Sequence, residues 1–134
     1  MVGAVAPASL VLLGNAADDG EREAALLARK TAELRIFSDA ATARRFNLSC
    51  STPAAPLVVS QFTLYADVRR GRRPGYRAGL AGAGQPLVAR CAAHLAGMGV
   101  AVAGGRFGAH MHVTLENDGP VTVVLDTTLW TAKG

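Results

Sequence analysis

A chain of 134 residues, half of them hydrophobic and 5% aromatic, is long enough to bury one core and is read as a single domain over residues 1–134. A formal net charge of +4 and an isoelectric point near 9.7 favour an anionic partner, and two cysteines exclude a disulfide framework and suit a reducing cytosol. No apolar run is long enough to span a bilayer, and Met1 to Leu13 lacks the charged start and cleavage signal of a secretory leader, so a cytoplasmic protein with no membrane partner is expected.

Ala8 to Leu13 is a short apolar run closed by Gly14-Asn15, which suits a buried strand. Asp18-Asp19-Gly20-Glu21 then reads as a helix start, with acidic residues against the positive end of the macrodipole. Ala24, Leu27, Thr31 and Leu34 follow at helical spacing, which predicts a helix over 20–33. Leu34 to Phe37 alternates as a short strand does. Ser38 to Pro56 is polar and rich in small residues, a loop with one brief strand near Phe46 to Ser49.

Leu57 to Leu64 is the clearest strand, β-branched and apolar at its start. It turns polar at Ser60, Gln61 and Thr63. Such groups are either hydrogen-bonded within a core, or the wet side of a half-covered strand, or part of a site. Asp67 to Arg77 follows, with Arg69, Arg70, Arg72, Arg73 and Arg77 set around Gly71, Pro74 and Gly75. Five guanidiniums in nine residues repel one another unless an anion is shared among them, and arginine forks well onto phosphate oxygens. A basic loop that grips phosphate says nothing of base sequence.

Gln85 to Met98 reads as a second helix, entered at Pro86 and closed by Gly97 or Gly99. Leu87, Cys91, His94, Leu95 and Met98 form its apolar stripe, on which Cys91 is a small core residue rather than a nucleophile. Val100 to Ala103 is a strand. His110 to Glu116 alternates strictly, with Met111, Val113 and Leu115 on one face and His110 and His112 on the other. Two histidines begin a metal site, but no further ligand is spaced to complete it, so no metal is assigned. Val121 to Leu125 is the last strand, before a short polar tail holding Trp130.

Between these last two runs stands Asn117-Asp118-Gly119-Pro120. An ordinary two-residue hairpin would end in Asn-Gly or Asp-Gly with no proline after it. Pro120 removes a donor where the next strand should start pairing, so the tip presents bare carbonyls. The chain has no Gly-x-Gly-x-x-Gly, no phosphate-cradling Gly-Lys-Ser loop and no Gly-x-Ser-x-Gly elbow. Strand runs separated by two helices indicate a mixed α/β domain without regular alternation.

Taken together, Val58 to Asp67, Gly71-Arg72-Arg73-Pro74, Phe107-Gly108-Ala109-His110-Met111 and Asn117 to Thr122, with Leu26 to Phe37, resemble the D-aminoacyl-tRNA deacylase family in order and spacing. The resemblance runs from about residue 10 to residue 127. It implies a mixed α+β fold of largely antiparallel strands in a barrel-like sheet with two helices. It also implies a homodimeric enzyme that hydrolyses the ester joining a D-amino acid to the 3′ end of tRNA, accepts glycine mischarged onto tRNA, serves chiral proofreading in translation and needs no cofactor.

On this resemblance Ser60, Gln61, Phe62 and Thr63 are the catalytic group, with the Phe62 and Thr63 N–H groups facing the oxyanion and Gln61 orienting the substrate. Thr63 has no base beside it, and the ribose 2′-hydroxyl of the tRNA assists the attack instead. Gly119-Pro120 is expected to be cis and to reach into the partner subunit's pocket. Its carbonyls are aimed at the substrate's amino group, so that an L-side chain collides. Asn117, Val121, Thr122, Phe107, Ala109 and Met111 complete the substrate-binding set, and Arg69, Arg70, Arg72, Arg73 and Arg77 contact tRNA.

Family members open with a strand and hairpin ahead of the region matching Val2 to Leu13, and an arginine in it steadies the Gly-Pro loop. Here the chain starts at Met1-Val2-Gly3-Ala4, so that opening is expected to be missing, with a less stable fold and weakened activity as consequences. Two other readings stand beside the enzyme. One is a non-catalytic RNA-binding homologue weakened by the truncation; the other is an esterase of small substrates, which the arginine loop and the lack of a triad disfavour.

Overall fold

The computed structural model describes residues 8–39, 44–49, 55–76 and 84–130. Met1 to Pro7, Cys50 and Arg77 lie outside them. Five strands and two helices follow in order: β1 (Leu10–Leu13), α1 (Glu21–Glu33), β2 (Phe37–Asp39), β3 (Arg44–Leu48), β4 (Leu57–Ser60), α2 (Gly84–Gly97) and β5 (Ala103–Gly104). Short 3-10 turns at Phe62–Tyr65 and Thr127–Leu129 complete the set.

The sheet corrects the barrel-like, largely antiparallel architecture implied by the resemblance. β1, β4 and β5 form an open three-stranded parallel sheet in the order β1-β4-β5, and β2 and β3 form a separate antiparallel pair. The physical reason lies in the connections. α1 stands between β1 and β4, and α2 between β4 and β5, and a helical crossover returns the chain parallel to the strand it left. β4 is the central strand, with Leu10 opposite Leu57 on one side and Leu57 opposite Ala103 on the other.

Both helices fall where the periodicity places them, within a residue. α1 opens on a capping box in which the Gly20 N–H donates to Glu23 Oε2 at 2.8 Å, while Asp19 Oδ2 accepts from the Ala16 N–H at 2.7 Å. The predicted stripe is rotated slightly: α1 buries Ala24, Ala28 and Ala32, and Leu27 is only partly buried. Three alanines four apart leave room for α2 to lay Leu87, Cys91 and Leu95 against them, and Val58 and Val100 close the cluster. Outside this core, Glu21 joins the two helices. Its carboxylate takes Arg90 Nη1 at 3.1 Å and His94 Nε2 at 2.6 Å, so His94 bridges the helices at the surface instead of lying in the stripe. Met98, also placed in the stripe, is exposed. Among the described residues no helix is long and apolar enough to cross a membrane.

Two expected strands are not formed. Met111–Leu115 and Val121–Leu125 carry no ladder among the described residues, and Val113, Leu115, Val121, Val123 and Val124 stand exposed. An alternating sequence supplies a strand's side chains but not its partner, and no paired edge lies against these runs. The predicted strand at 57–64 is likewise shortened to Leu57–Ser60. Its last rung is the Gln61 N–H donating to the Leu13 carbonyl at 2.8 Å, after which the chain coils into the 3-10 turn.

Candidate active site

The carboxyl ends of the three parallel strands collect the residues assigned to catalysis and part of the substrate-binding set, while the arginines and the Asn117–Thr122 tip lie apart from them. Gly14-Asn15 leaves β1, Ser60-Gln61 leaves β4, and Gly105-Arg106-Phe107 leaves β5. In open parallel sheets the crevice beyond these ends is the usual ligand site, because the crossovers depart there and leave backbone groups facing outward.

Ser60 to Thr63 turns sharply at this edge. Gln61 leaves the strand at φ −144° and ψ 83°, and the turn closes with the Leu64 N–H donating to the Gln61 carbonyl at 3.3 Å and the Ala66 N–H to the Thr63 carbonyl at 3.1 Å. The first N–H groups of such a turn have no acceptor inside it, and among the described residues the Phe62 and Thr63 N–H groups meet none. The Gln61 Nε2 amide donates to Thr63 Oγ1, which joins the two polar side chains, and among the described residues no His or carboxylate is hydrogen-bonded to that hydroxyl. Close approach of β1 needs a glycine: a Cβ at Gly14 would lie 3.0 Å from the Gln61 carbonyl oxygen and 3.3 Å from Leu64 Cβ.

The stretch after β5 borders the same edge. Met111 packs its sulfur on Gly105, where a Cβ would come within 2.7 Å of Sδ and 3.9 Å of Val59 Cγ2. Phe107 lies over the start of α2: a Cβ at Gly84 would sit 3.1 Å from its ring and 2.9 Å from Asn15 Oδ1. Asn15 and Gly84 were therefore missed from sequence. A glycine opening a helix and an asparagine ending a strand are ordinary caps and turns until the sheet brings them together. Gly108, at φ 77°, turns the chain here, and the Ala109 N–H donates to the Arg106 carbonyl at 3.2 Å. His110 and His112 meet edge to face at 5.2 Å, and among the described residues no three His, Cys, Asp or Glu side chains converge on a metal position.

The arginine loop is a closed hairpin. Asp67 and Gly75 exchange both backbone hydrogen bonds, at 2.7 and 2.9 Å. Asp67 then forks onto Arg69, with Nε at 2.9 Å and Nη2 at 2.8 Å, and its Oδ1 accepts from the Arg69 N–H at 3.1 Å. These contacts, the guanidinium bonds first, hold the Asp67 carboxyl down at about 2. Arg70, Arg72 and Arg73 are exposed around Gly71, which tips the hairpin at φ 62°. Tyr76, next after the stem, sets its ring edge-on to Phe62 at 5.4 Å and 79°.

The tip at Asn117–Thr122 is exposed and hydrogen-bonded to itself. Asn117 Oδ1 accepts from the Val121 N–H at 2.8 Å, and Asn117 Nδ2 donates to Thr122 Oγ1 at 3.4 Å. The Gly119–Pro120 bond is cis, as the resemblance implies, and Gly119 holds φ 143°. Cys91, by contrast, is buried among the helices, and desolvation pushes its thiol up to about 11, which makes it a core residue.

Residues 1–126 match the family model described as D-Tyr-tRNA(Tyr) deacylase. The chain is 52% identical over 132 residues to the D-aminoacyl-tRNA deacylase of Roseiflexus sp. (strain RS-1), covering 97% of this chain and 84% of that protein. It is 50% identical over 128 residues to the D-aminoacyl-tRNA deacylase of Kineococcus radiotolerans, covering 94% and 86%. Among solved structures it is similar to the c-Myc DNA unwinding element binding protein, with a TM-score of 0.76 and 31% identity over 87% of this chain and 80% of that one.

Proposed function

The chain belongs to the D-Tyr-tRNA(Tyr) deacylase family, and from that membership we propose that it hydrolyses D-aminoacyl-tRNA to free D-amino acid and tRNA in the cytoplasm, as a chiral proofreader of translation. The observation that carries the mechanism is the pair of N–H groups at Phe62 and Thr63, which meet no acceptor among the described residues and are held at the carboxyl edge of the sheet. Ester hydrolysis passes through a tetrahedral oxyanion, and two fixed backbone donors stabilise that charge without reorganising. Gln61, tied to Thr63 by its amide, orients the aminoacyl ester. The ribose 2′-hydroxyl of the tRNA assists attack by water, since among the described residues the Thr63 hydroxyl meets the Gln61 amide and no base.

Selection falls to the Asn117–Thr122 tip acting across a homodimer. Its Gly-Pro carbonyls receive the substrate's amino group, and an L-side chain would collide where a D-side chain or the hydrogen of glycine passes. The exposed, self-contained geometry of the tip supports a role outside its own subunit. Phe107, Ala109 and Met111 line the substrate side, and Arg69 to Arg73, with Arg77, meet the tRNA backbone.

Deacylation of D-tyrosyl-tRNA beside L-tyrosyl-tRNA tests the proposal. Release of D-tyrosine with the L-ester left intact is the expected result, and a folded protein that cleaves neither would reject it. Thr63→Ala should keep substantial activity; complete loss with an intact fold would restore a nucleophilic threonine.

A further inference from the structure

The arginine hairpin and the catalytic turn share two attachments. Going out, the chain passes from the turn through Ala66, whose N–H donates to the Thr63 carbonyl, directly into Asp67 of the hairpin stem. Coming back, it leaves the stem at Gly75, and the next residue, Tyr76, sets its half-buried ring against Phe62. Asp67 and Gly75 are locked to each other by their paired backbone bonds, and Asp67 occupies Arg69 as well. The hairpin therefore has a hydrogen-bonded stem, a tip carrying Arg70, Arg72 and Arg73, which are exposed and form no ion pair among the described residues, and a side-chain hold on the turn whose N–H groups would face the oxyanion.

From this arrangement we infer that Tyr76 is a positioning residue: its ring holds Phe62, and with it the Phe62 and Thr63 N–H groups, in register with a hairpin that grips RNA phosphate. Phe62 needs such a hold because it is 44% exposed and sits on a turn of only four residues. An aromatic edge-to-face contact fixes ring orientation as well as contact, which a plain apolar neighbour does not. The inference rests on the reading of Ser60–Thr63 as catalytic and of the hairpin as the tRNA contact. Phosphate held on the arginines then places the ester against donors that the stem and Tyr76 already hold in position.

The test is steady-state deacylation of D-tyrosyl-tRNA by Tyr76→Phe, Tyr76→Ala and an Arg72→Ala/Arg73→Ala pair, with melting curves alongside. Tyr76→Phe should match the wild type. Tyr76→Ala should lower kcat by about three- to tenfold, the worth of one aromatic contact, with KM within about twofold. Should Tyr76→Ala fail to fold, Tyr76→Leu keeps apolar bulk without the ring edge and should show the same kcat defect. The arginine pair should instead raise KM, leave kcat in place and flatten the dependence of log affinity on log salt by about 1.5. Wild-type kcat in Tyr76→Leu and Tyr76→Ala, a defect confined to KM, or an equal defect in Tyr76→Phe would each overturn the positioning role. An arginine pair with unchanged KM and salt response would instead overturn the assignment of the hairpin to RNA, whatever the tyrosine variants do.

Discussion

At the scale of single residues, Gly119 is the position where the least change should have the largest effect. It holds φ 143°, a region L-residues avoid, and a Cβ there would stand 2.8 Å from Val121 Cγ2 and 3.1 Å from the Val121 N. That N–H is the one accepted by Asn117, so a displaced Val121 opens the tip at its base. Gly119→Ala should introduce about 1–3 kcal/mol of local strain. The protein should stay folded at the assay temperature, with its melting temperature lower by several degrees. The rate on D-tyrosyl-tRNA should nonetheless fall tenfold or more, or the rejection of L-tyrosyl-tRNA should relax. Unchanged rates on both esters would remove the tip from the selection of chirality. Asn117, Gly119 and Pro120 were legible in sequence because three turn-formers and a donorless residue cannot make an ordinary hairpin. Asn15 was not, since its significance comes from lying beside Gly84 and Phe107, which are distant in the chain.

At the scale of elements, stability rests on α1 against α2. Leu95 is fully buried in one cluster with the alanines of α1 and the sheet residue Val58. Leu95→Ala should cost about 2–5 kcal/mol, read as a fall of about 10 °C or more in melting temperature. A shift of only a degree or two would mean that the helix pair is not the core of the fold. Helix limits were readable because capping residues and a four-residue apolar repeat are local signals. The parallel sheet was not, because β1, β4 and β5 are each short apolar runs whose direction depends on the crossovers between them. The runs at 111–115 and 121–125 show the converse. The first alternates strictly and the second is β-branched and apolar, yet a strand needs a neighbouring backbone, and neither pattern carries information about one.

For the whole molecule, the exposed Val113, Leu115, Val123 and Val124 flank the Asn117–Thr122 tip in the chain, and Val121 within it is exposed too. An apolar surface so placed is consistent with the homodimer proposed above, where burying it would also deliver the tip to the partner's site. Sedimentation should then give about twice the 13.8 kDa of one chain. Val124→Lys, at a side chain 84% exposed in the single chain, should weaken association and deacylation together while leaving the fold intact. Full activity at a concentration where sedimentation gives a monomer would show that each chain is sufficient alone.

Sequence by itself determined the two helices, the start of the strand at Leu57 and its polar residues, the basic loop and the Gly-Pro tip. Each of these is encoded by residues within about a dozen positions of one another, so local chemistry suffices to announce it. Tertiary structure decided the direction of the strands, the meeting of Asn15, Gly84 and Phe107, the bridge from His94 to Glu21 and the seat of Tyr76 on Phe62. The reason is the same for all four. Each depends on which surfaces the chain brings together after its crossovers, and a contact between segments far apart in sequence leaves no period or motif in either of them.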